Sequence, residues 1–241
     1  MNEYVSRLYR QRHQGEDLAY FGVKVKESDL HIGAAKPLKA QAMAALSLTR
    51  NTIEAEIQRL PSFRTSLVPL PIPPSSAQVV SWMYQAAAQS GVGPMAAVAG
   101  AVARAVGESL CGFSPEVIVE NGGDLFVSSK KERKISIFAG ASPLSEKLAI
   151  QLPPGVWGVC TSSAKVGPSL SFGQTDASVI VAHDAALADA AASTLGNAIH
   201  TTADLSAAIQ RVMGIPGIVG AVAILGEHVA ACGNISLIPA D

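Results

Sequence analysis

Three segments of the chain place polar side chains or bare backbone where a ligand could bind. The first, Gly91–Gly100, is a glycine-rich turn that leads into a helix. Exposed backbone N–H groups at a helix N-terminus suit an anion such as a phosphate. Many helices begin after glycine, so this segment by itself is equally typical of an ordinary helix start.

The second segment is an apolar strand, Val117–Glu120, that runs into the turn Asn121-Gly122-Gly123-Asp124. Two consecutive glycines permit positive φ and a tight chain reversal. One interpretation is a plain β-turn in which asparagine and aspartate have their common turn roles. The other is a turn whose Asn121 and Asp124 face a ligand that lies against bare backbone. The residues alone leave both open.

The third segment is the alanine-rich stretch Ala185–Thr194, which contains Asp189 and Ser193. These two residues are four apart, so a helix presents them on one face. A carboxylate and a hydroxyl can ligate a hard cation such as Mg²⁺, with backbone carbonyls and phosphates completing the shell. The alternative, which the segment alone favours, is that both side chains face solvent.

The standard fingerprints of several other sites are absent from the sequence. It contains no GxxxxGK[ST] loop, no GxGxxG after a strand, no GxSxG and no HExxH. Cys111, Cys160 and Cys232 are odd in number, far apart and without a CxxC pair, which argues against a disulfide framework or a zinc site. Buried thiols in a reducing compartment are expected, and only Cys160, beside a Thr-Ser-Ser run, is a minor site candidate.

Composition and charge exclude several classes of protein. Hydrophobic residues make up 49% of the 241 residues and charged residues 15%, which excludes a disordered chain. The net charge of −1 argues against nucleic-acid binding, and the basic run at 130–134 is predicted to be a solvated turn. The polar N-terminus does not resemble a signal peptide, and the apolar stretches are too short to span a bilayer. We therefore predict a cytoplasmic protein without nucleic-acid or membrane partners, and homo-oligomerisation is compatible with its apolar composition.

Periodicity predicts an α+β fold with antiparallel sheets and grouped helices. Helices are predicted at Leu38–Leu60, Ala77–Ser90, Met95–Leu110, Ala185–Leu195 and Thr202–Met213, and the proline-rich 62–76 is predicted to be an irregular connection. Ser75 or Ser76 is expected to cap the second of these helices, and Gly196 to end the fourth. Strands are predicted at 20–25, 29–32, 116–120, 124–127, 134–138, 148–151, 157–161, 178–182, 217–225, 228–232 and 235–238. The expected organisation is a single domain over residues 1–241, or two intimately packed halves with a break near 111–116 and a possible structural duplication.

Taken in order along the chain, these segments resemble the ApbE-like flavin-transferase superfamily. Val117–Asp124 is similar to its strand and glycine–glycine–aspartate turn, and Ala188–Thr194 is similar to its ADA-x-A-T helix. Gly91–Gly100 lies where the superfamily has a glycine–alanine helix start. Gly158–Gly173 looks like its threonine–serine segment, and the ending Ser-Phe-Gly is closer still to an uncharacterised, cytoplasmic branch. The resemblance covers about Gly91–Gly196.

The resemblance implies a T-fold-related fold and a cleft that binds FAD, or a similar nucleotide, with Mg²⁺ at the diphosphate. It also implies FMN transfer from FAD to a threonine of a target protein, or FAD pyrophosphatase activity. Asp189 and Ser193 would bind the metal. The implied cofactor-binding residues are Gly93, Met95, Asn121, Gly122, Gly123, Asp124, Thr161, Ser162 and Ser163.

The sequence also departs from the superfamily pattern. The lysine of the first helix start is missing from 94–99, and the histidine and Asp-Pro pair are missing from 168–173. His31 ends an apolar strand and His183 opens a strand-to-helix turn before Asp184, a predicted N-cap, so no catalytic residue is assigned. Two alternatives therefore stand beside a transferase: a non-catalytic flavin carrier or sensor, and an enzyme of this fold that acts on another small molecule through Ser162, Ser163 or Cys160.

Overall fold

The computed structural model describes residues 17–166 and 171–240. Its strands are β1 (Ala19–Val25), β2 (Ser28–Ala34), β3 (Val117–Asn121), β4 (Asp124–Ser129), β5 (Arg133–Ser136), β6 (Leu148–Leu152), β7 (Gly155–Ser162), β8 (Ala177–Ala182), β9 (Ile218–Leu225), β10 (His228–Gly233) and β11 (Ser236–Pro239). Its α-helices are α1 (Lys39–Arg59), α2 (Ser62–Thr65), α3 (Gln78–Ser90), α4 (Val98–Cys111), α5 (Ala185–Asn197) and α6 (Leu205–Met213). The N-terminal stretch compared with signal peptides lies mostly outside the described residues, as does the first half of the stretch 168–173 that lacks the histidine.

The fold has three layers: helices, an eight-stranded sheet and a three-stranded sheet. The large sheet is antiparallel throughout, in the order β1-β2-β3-β4-β7-β8-β9-β10, and the small sheet has the order β11-β6-β5. Alternate residues of the large sheet therefore enter two different cores. Val119, Phe126 and Cys160 pack among the helices, whereas Leu125 and Val159 pack against the small sheet.

Helix α5 lies at the centre of the helical layer, against α3, α4 and the strands β7 and β8. Almost all of its alanines are completely buried. Small side chains permit this burial because they let the backbone of α5 approach the backbones of its neighbours closely, as at Gly158 of β7. A Cβ on that glycine would lie 2.4 Å from the Cα of Ala185. The alanine-rich composition of this segment thus reflects helix packing on both sides.

The predicted α+β fold, with its antiparallel sheets and grouped helices, is confirmed, and the differences are local. The expected connection at 62–76 contains the short helix α2, and the predicted helix at Met95 opens as a 3₁₀ turn, Pro94–Ala97. Asp184 caps α5 as predicted, because its carboxylate accepts the N–H of Ala186 at 2.9 Å.

Two predicted helix boundaries are wrong. We expected Ser75 or Ser76 to cap α3, but the N-cap is Ala77, which makes no side-chain hydrogen bond. Gly196 was expected to end α5, but the helix runs to Asn197 and Gly196 is buried inside it. A Cβ at Gly196 would lie 3.3–3.6 Å from three hydroxyl oxygens, so close packing against strand side chains accounts for this glycine.

The basic run was predicted to be solvated, and this is wrong for Arg133. Its side chain is only 10% exposed, and its guanidinium forms ion pairs with Asp17 at 2.8 Å and Glu116 at 2.9 Å. Lys131 also pairs with Asp17. The run therefore joins the large sheet to the small sheet through paired charges, and these residues do not form a free basic patch.

Within the described parts of the chain, no single helix is long and apolar enough to cross a membrane. By length and composition, only α3 joined to Pro94–Cys111 would suffice, and these two segments are bent by 108° at their break.

The close contact at Gly158 gives a stability prediction. Gly158→Ala should lower the free energy of unfolding by about 1–3 kcal/mol, because its Cβ would meet the Ala185 backbone. Gly22→Ala on β1 is the matched control, because its Cβ would come no closer than 3.6 Å to any atom. It should change stability by less than about 0.5 kcal/mol. Urea denaturation of both variants measures the difference, and equal effects would contradict the packing argument.

Candidate functional site

The start of α4 and the middle of α5 meet at Gly100 and Asp189. A Cβ on Gly100 would lie 2.1 Å from the carbonyl oxygen of Ala185 and 2.8 Å from Cβ of Asp189. Only glycine permits this approach. It allows the N–H of Gly100 to donate to Asp189 Oδ2 at 2.8 Å, and the N–H of Ala99 donates to the same carboxylate. The first turn of α4 is thus bonded to a side chain of α5.

The Gly122–Gly123 turn brings two more polar side chains to this point. Asn121 donates through Nδ2 to the carbonyl oxygen of Ala99 at 3.1 Å. Asp124 is 8% exposed and accepts the N–H of Thr161 at 3.3 Å. Both glycines have positive φ, 69° and 108°. The turn is therefore fixed against the start of α4, beside Asp189.

Two carboxylates consequently lie close together in a poorly solvated position. Burial, and then the neighbouring Asp189 carboxylate, raise the pKa of Asp124 well above its usual range. Burial raises the pKa of Asp189 to about 7, although the two α4 N–H groups oppose the increase. We call Asp124, Asp189 and Asn121 with the Ala99–Gly100 backbone the carboxylate site. Its two acids repel each other when both are ionised, which a bound cation would relieve.

Thr161, Ser162 and Ser163 were predicted together, but they point to two faces of the large sheet. Thr161 and Ser163 line a cavity between the two sheets, and Ser163 Oγ also accepts the N–H groups of Lys165 and Val166, each at 3.1 Å. Ser162 is 8% exposed and lies beneath α5, near Gly196. None of the three hydroxyls is bonded to the carboxylate site. Thr161 reaches it through its backbone N–H.

The remaining predicted residues also lie at different distances from the carboxylates. Ser193 follows Asp189 by one helical turn and is half-buried. Met95 packs against the helical core from the 3₁₀ turn. Gly93 packs directly against the backbone of the proline-rich connection. A side chain would not fit there, because a Cβ on Gly93 would lie 1.7 Å from the Ser66 carbonyl oxygen. The hydroxyl of Thr194 donates a hydrogen bond to the Ser90 carbonyl oxygen at 2.7 Å.

The described histidines lie away from the carboxylate site. His183 donates through Nδ1 to the Val156 carbonyl oxygen at 2.9 Å, and its ring stacks on Trp157 at the opposite end of β7 from Thr161. His31 is in β2 and lines the cavity between the sheets. His200 and His228 are exposed, after α5 and on β10.

Cys160 does lie at the carboxylate site, but as an unreactive thiol. It is completely buried, and its Sγ donates to the Ala185 carbonyl at 3.3 Å. Burial, and then the two carboxylates, raise its pKa well above the usual value. A thiol needs a lowered pKa to act as a nucleophile near neutral pH. The geometry therefore disfavours the alternative in which Cys160 does covalent chemistry.

The carboxylate site has the donor type that Mg²⁺ prefers, but it is an incomplete ligand shell. Among the described residues, no group of three or more His, Cys, Asp or Glu side chains could hold a metal ion. A cation at Asp124 and Asp189 would therefore take its other ligands from hydroxyl or carbonyl oxygens, water or a ligand's phosphates. The site fits Mg²⁺ only in company with an oxygen-rich ligand.

Two contributions to the site were not predicted. Gly100 was quoted only as the end of a segment, although its N–H fixes the Asp189 carboxylate. Glu120 was not considered; it is 6% exposed and accepts the N–H of Gly123 at 2.9 Å. A glutamate next to Asn121 at the end of an apolar strand was the available clue to the second residue.

Comparisons with known proteins identify the family of the chain. A family model described as "AbpE bacteria" matches residues 10–215. A UPF0280 protein of Methanocella arvoryzae is 38% identical over 215 residues, 88% of this chain and 87% of that protein. One from Methanoculleus marisnigri is 42% identical over 208 residues, 85% and 81% of the two chains.

Solved structures resemble the chain in fold alone. The apo form of flavinyl transferase ApbE from Pseudomonas stutzeri has a TM-score of 0.57 at 12% identity, with 90% of this chain and 94% of that chain covered. The flavin transferase ApbE of Vibrio cholerae has a TM-score of 0.56 at 9% identity, with coverage of 90% and 97%.

The raised pKa of Asp189 predicts a pH-dependent stability difference from Asp189→Asn in metal-free buffer. The usual pKa is 3.8 and the folded value about 7, so between these values the folded protein retains a proton that the unfolded chain has lost. The stability of the parent relative to the variant should fall as pH rises through this window and then level off. This difference between the two pKa values corresponds to a change of at most about 4 kcal/mol in the free energy of unfolding. About 1–3 kcal/mol is expected, because Asp189 keeps some solvent contact.

Urea denaturation between pH 4 and 8 measures this difference. Asp204→Asn is the control with a nearly constant difference from the parent over this range, because hydrogen bonds from Thr201 and His200 lower the pKa of Asp204 below its usual value of 3.8. The stability that Asp204 contributes is present above its unfolded pKa and is lost on acidification. Identical pH profiles for the parent and Asp189→Asn would contradict the assignment.

Proposed function

Because the chain belongs to the ApbE-like family, in its UPF0280 branch, we propose that it binds FAD or a related nucleotide with Mg²⁺ at the carboxylate site. We further propose that it acts as a flavin (FMN) transferase or as an FAD pyrophosphatase. The observation on which this rests is the pair of carboxylates, Asp124 and Asp189, held together at the Gly122–Gly123 turn.

The hydrogen bonds of Asp189 prepare it to bind a cation. A carboxylate has about four lone-pair positions, and the Ala99 and Gly100 N–H groups use only some of them. These N–H groups also fix the orientation of the carboxylate. Since Asp189 occupies them, a diphosphate would be held mainly through Mg²⁺ and not by direct contact with the first turn of α4. Ser193 is proposed as the hydroxyl ligand from the same helix face.

The Gly122–Gly123 turn provides a surface for the organic part of the nucleotide. A Cβ at Gly122 would meet nothing within 4 Å, and one at Gly123 only the Thr161 carbonyl at 3.9 Å. This open space over bare backbone accepts a flat group without steric conflict. Asn121 and Asp124, at the two ends of the turn, keep it in place through Ala99 and Thr161.

The proposed reaction breaks the phosphoanhydride bond between the FMN and AMP parts of FAD. The FMN phosphorus forms a new bond to the hydroxyl oxygen of a threonine in a target protein, or to water, and the hydroxyl proton and AMP depart. Bound Mg²⁺ supplies neutralisation of the phosphate charge, and such transfers depend mostly on positioning and charge neutralisation. Asp124 and Asp189 hold the cation, while the glycine turn orients the reacting end.

One observation favours a second candidate, a non-catalytic flavin carrier or sensor. The described histidines lie on β2, at the far end of β7, after α5 and on β10, and Cys160 is a buried thiol. A base for the acceptor hydroxyl is therefore not assigned among the described residues. A protein of this kind would bind FAD with Mg²⁺ and release it intact.

We also propose a cytoplasmic location. Cys111, Cys160 and Cys232 are all free thiols. Free thiols persist in reducing compartments.

Calorimetric titration with FAD tests the binding proposal. Binding should be saturable and about tenfold or more tighter with Mg²⁺, and Asp189→Asn should abolish the Mg²⁺ effect because a cation ligand is lost. Asp184→Asn is the matched control on the same helix, since asparagine is also a good N-cap and should preserve α5. Absence of FAD binding to the parent, with or without Mg²⁺, would refute the proposal.

Product analysis separates transferase or pyrophosphatase activity from a carrier. The parent incubated with FAD and Mg²⁺ should release AMP, detected by chromatography, and Asp124→Asn should lower the rate about 100-fold or more. Chelation of Mg²⁺ should stop the release. FAD that binds with Mg²⁺ dependence but is recovered intact would support the carrier instead.

A further inference from the structure

We propose that β10, the last strand of the large sheet, pairs with β10 of a second copy of this chain, so that two large sheets join across a two-fold axis. Among the described strands, β10 lies at one edge of the large sheet and has β9 as its strand partner. An edge strand offers a row of backbone N–H and C=O groups to another strand. The pairing needs neither FAD nor Mg²⁺, so its test is independent of the carboxylate site.

The backbone of β10 directs half of its polar groups away from β9. At the end of the strand, the N–H of Asn234 donates to the Val219 carbonyl oxygen at 2.9 Å. In an antiparallel pair, alternate residues of a strand bond to one neighbour and the residues between them face the other side. Val229 and Ala231 are an odd number of positions from Asn234, so their N–H and C=O groups point to the outer edge of the sheet.

The other edge strands carry residues that oppose strand pairing, and β10 does not. Among the described strands, the other edges are β1, which contains Lys24, β5, which contains Lys134, and β11, which ends with Pro239. Lysine and proline at an edge discourage the addition of a further strand. β10 contains no Lys, Arg, Asp, Glu or Pro, and from its second residue onward its residues are all small or aliphatic. Its edge is therefore the one best suited to pairing.

A second copy of the same strand fits this edge because the edge is self-complementary. In an antiparallel pair centred on Ala231, the two copies of Ala231 exchange both backbone hydrogen bonds. Val229 then lies opposite Gly233 of the partner subunit, so a branched side chain faces a residue without one. Two-fold symmetry brings any charge near the axis close to its own copy, and β10 has no acidic or basic side chain beyond His228 at its start.

The helix above this edge also fits a two-fold pair. Helix α6 packs against both β9 and β10, which places its axis about midway between these strands. Because strands are about 4.8 Å apart, α6 would lie roughly 5 Å from the two-fold axis. The two copies of α6 would then be about 10 Å apart, which is a distance at which helices pack. An extended peptide from an unrelated protein would pair with the strand but leave this side of α6 uncovered.

The side of α6 nearer to the edge is uncharged. Gln210 Nε2 donates to Cys232 Sγ at 3.8 Å, and Met213 reaches the end of β10, so these two side chains mark that side of the helix. Ser206, one turn before Gln210, shares it. Arg211 follows about 100° further round the helix. Two copies of α6 that approach through serine, glutamine and methionine side chains bury no unpaired charge.

Sedimentation equilibrium of the full chain, without FAD or Mg²⁺, tests the proposal. The parent should be a reversible dimer, and Ala231→Lys should raise its dissociation constant about tenfold or more, because two lysines would face each other on the axis. Ala231 is exposed in the single chain, so the variant should fold. Gly22→Lys at the β1 edge is the matched control and should leave the dimer unchanged, because its Cβ would come no closer than 3.6 Å to any atom.

Two results of this experiment would overturn the proposal. One is a parent that remains monomeric throughout the micromolar range. The other is a dimer that Gly22→Lys dissociates and Ala231→Lys does not, which would assign the contact to β1.

Opposite charges at residue 231 test whether this residue lies on the axis. Ala231→Asp alone should also dissociate the dimer, whereas an equimolar mixture with Ala231→Lys should restore it, because each lysine would face an aspartate. Amide hydrogen exchange gives a second measurement. The amides of Val229 and Ala231 should exchange more slowly as the parent dimerises at higher concentration, and that of Gly22 should not change. Absence of the mixed dimer, or exchange at Ala231 that is independent of concentration, would contradict the pairing.

Discussion

The contact between α4 and α5 at Gly100 is the constraint on which the carboxylate site depends. The absence of a side chain lets the Gly100 backbone approach Ala185 and places its N–H on the Asp189 carboxylate. In the same helix start, the carbonyl oxygen of Ala99 accepts a hydrogen bond from the Asn121 amide, and this bond fixes the glycine turn beside α4. A side chain at residue 100 would separate the helices, and the two acids would no longer be held by one shared element.

The large sheet separates two chemical environments with a single layer of backbone. Consecutive residues point to opposite faces, so neighbours in sequence contact different environments. Cys160 belongs to the helical core and Thr161 lines the cavity, just as Asn121 and Glu120 are divided on β3. The Gly122–Gly123 turn lies next to both the carboxylate site and the cavity between the sheets. Its main chain is held by Glu120 from one face, while Asn121 and Asp124 anchor it on the other.

Much of this architecture follows from local sequence patterns, but the site depends on long-range contacts. Periodicity predicted the elements and the α+β class, because amphipathic helices and alternating strands report burial directly. Pattern order indicated Asp124 and Asp189 as candidates, and the structure places them near each other, but it did not indicate that the first turn of α4 would already be bonded to Asp189. Gly93 was predicted for ligand contact, whereas its backbone is packed against Ser66. The cavity could not be predicted, because its second wall comes from β5 and β6 and pairing between sheets is not encoded at short range.

The carboxylate pair is difficult to explain as a stabilising feature of the fold. Asp124 and Asp189 raise the free energy of the folded state when ionised, and asparagine at either position would retain oxygen acceptors for the surrounding N–H groups. Asn121, a few residues away, already performs such a structural role with an amide. Two other buried acids of the chain are paired with bases, Glu116 with Arg133 and Asp176 with Lys165. Two acids that instead face each other create a demand for positive charge, and at this glycine turn a cation delivered with a phosphate-bearing ligand would satisfy it.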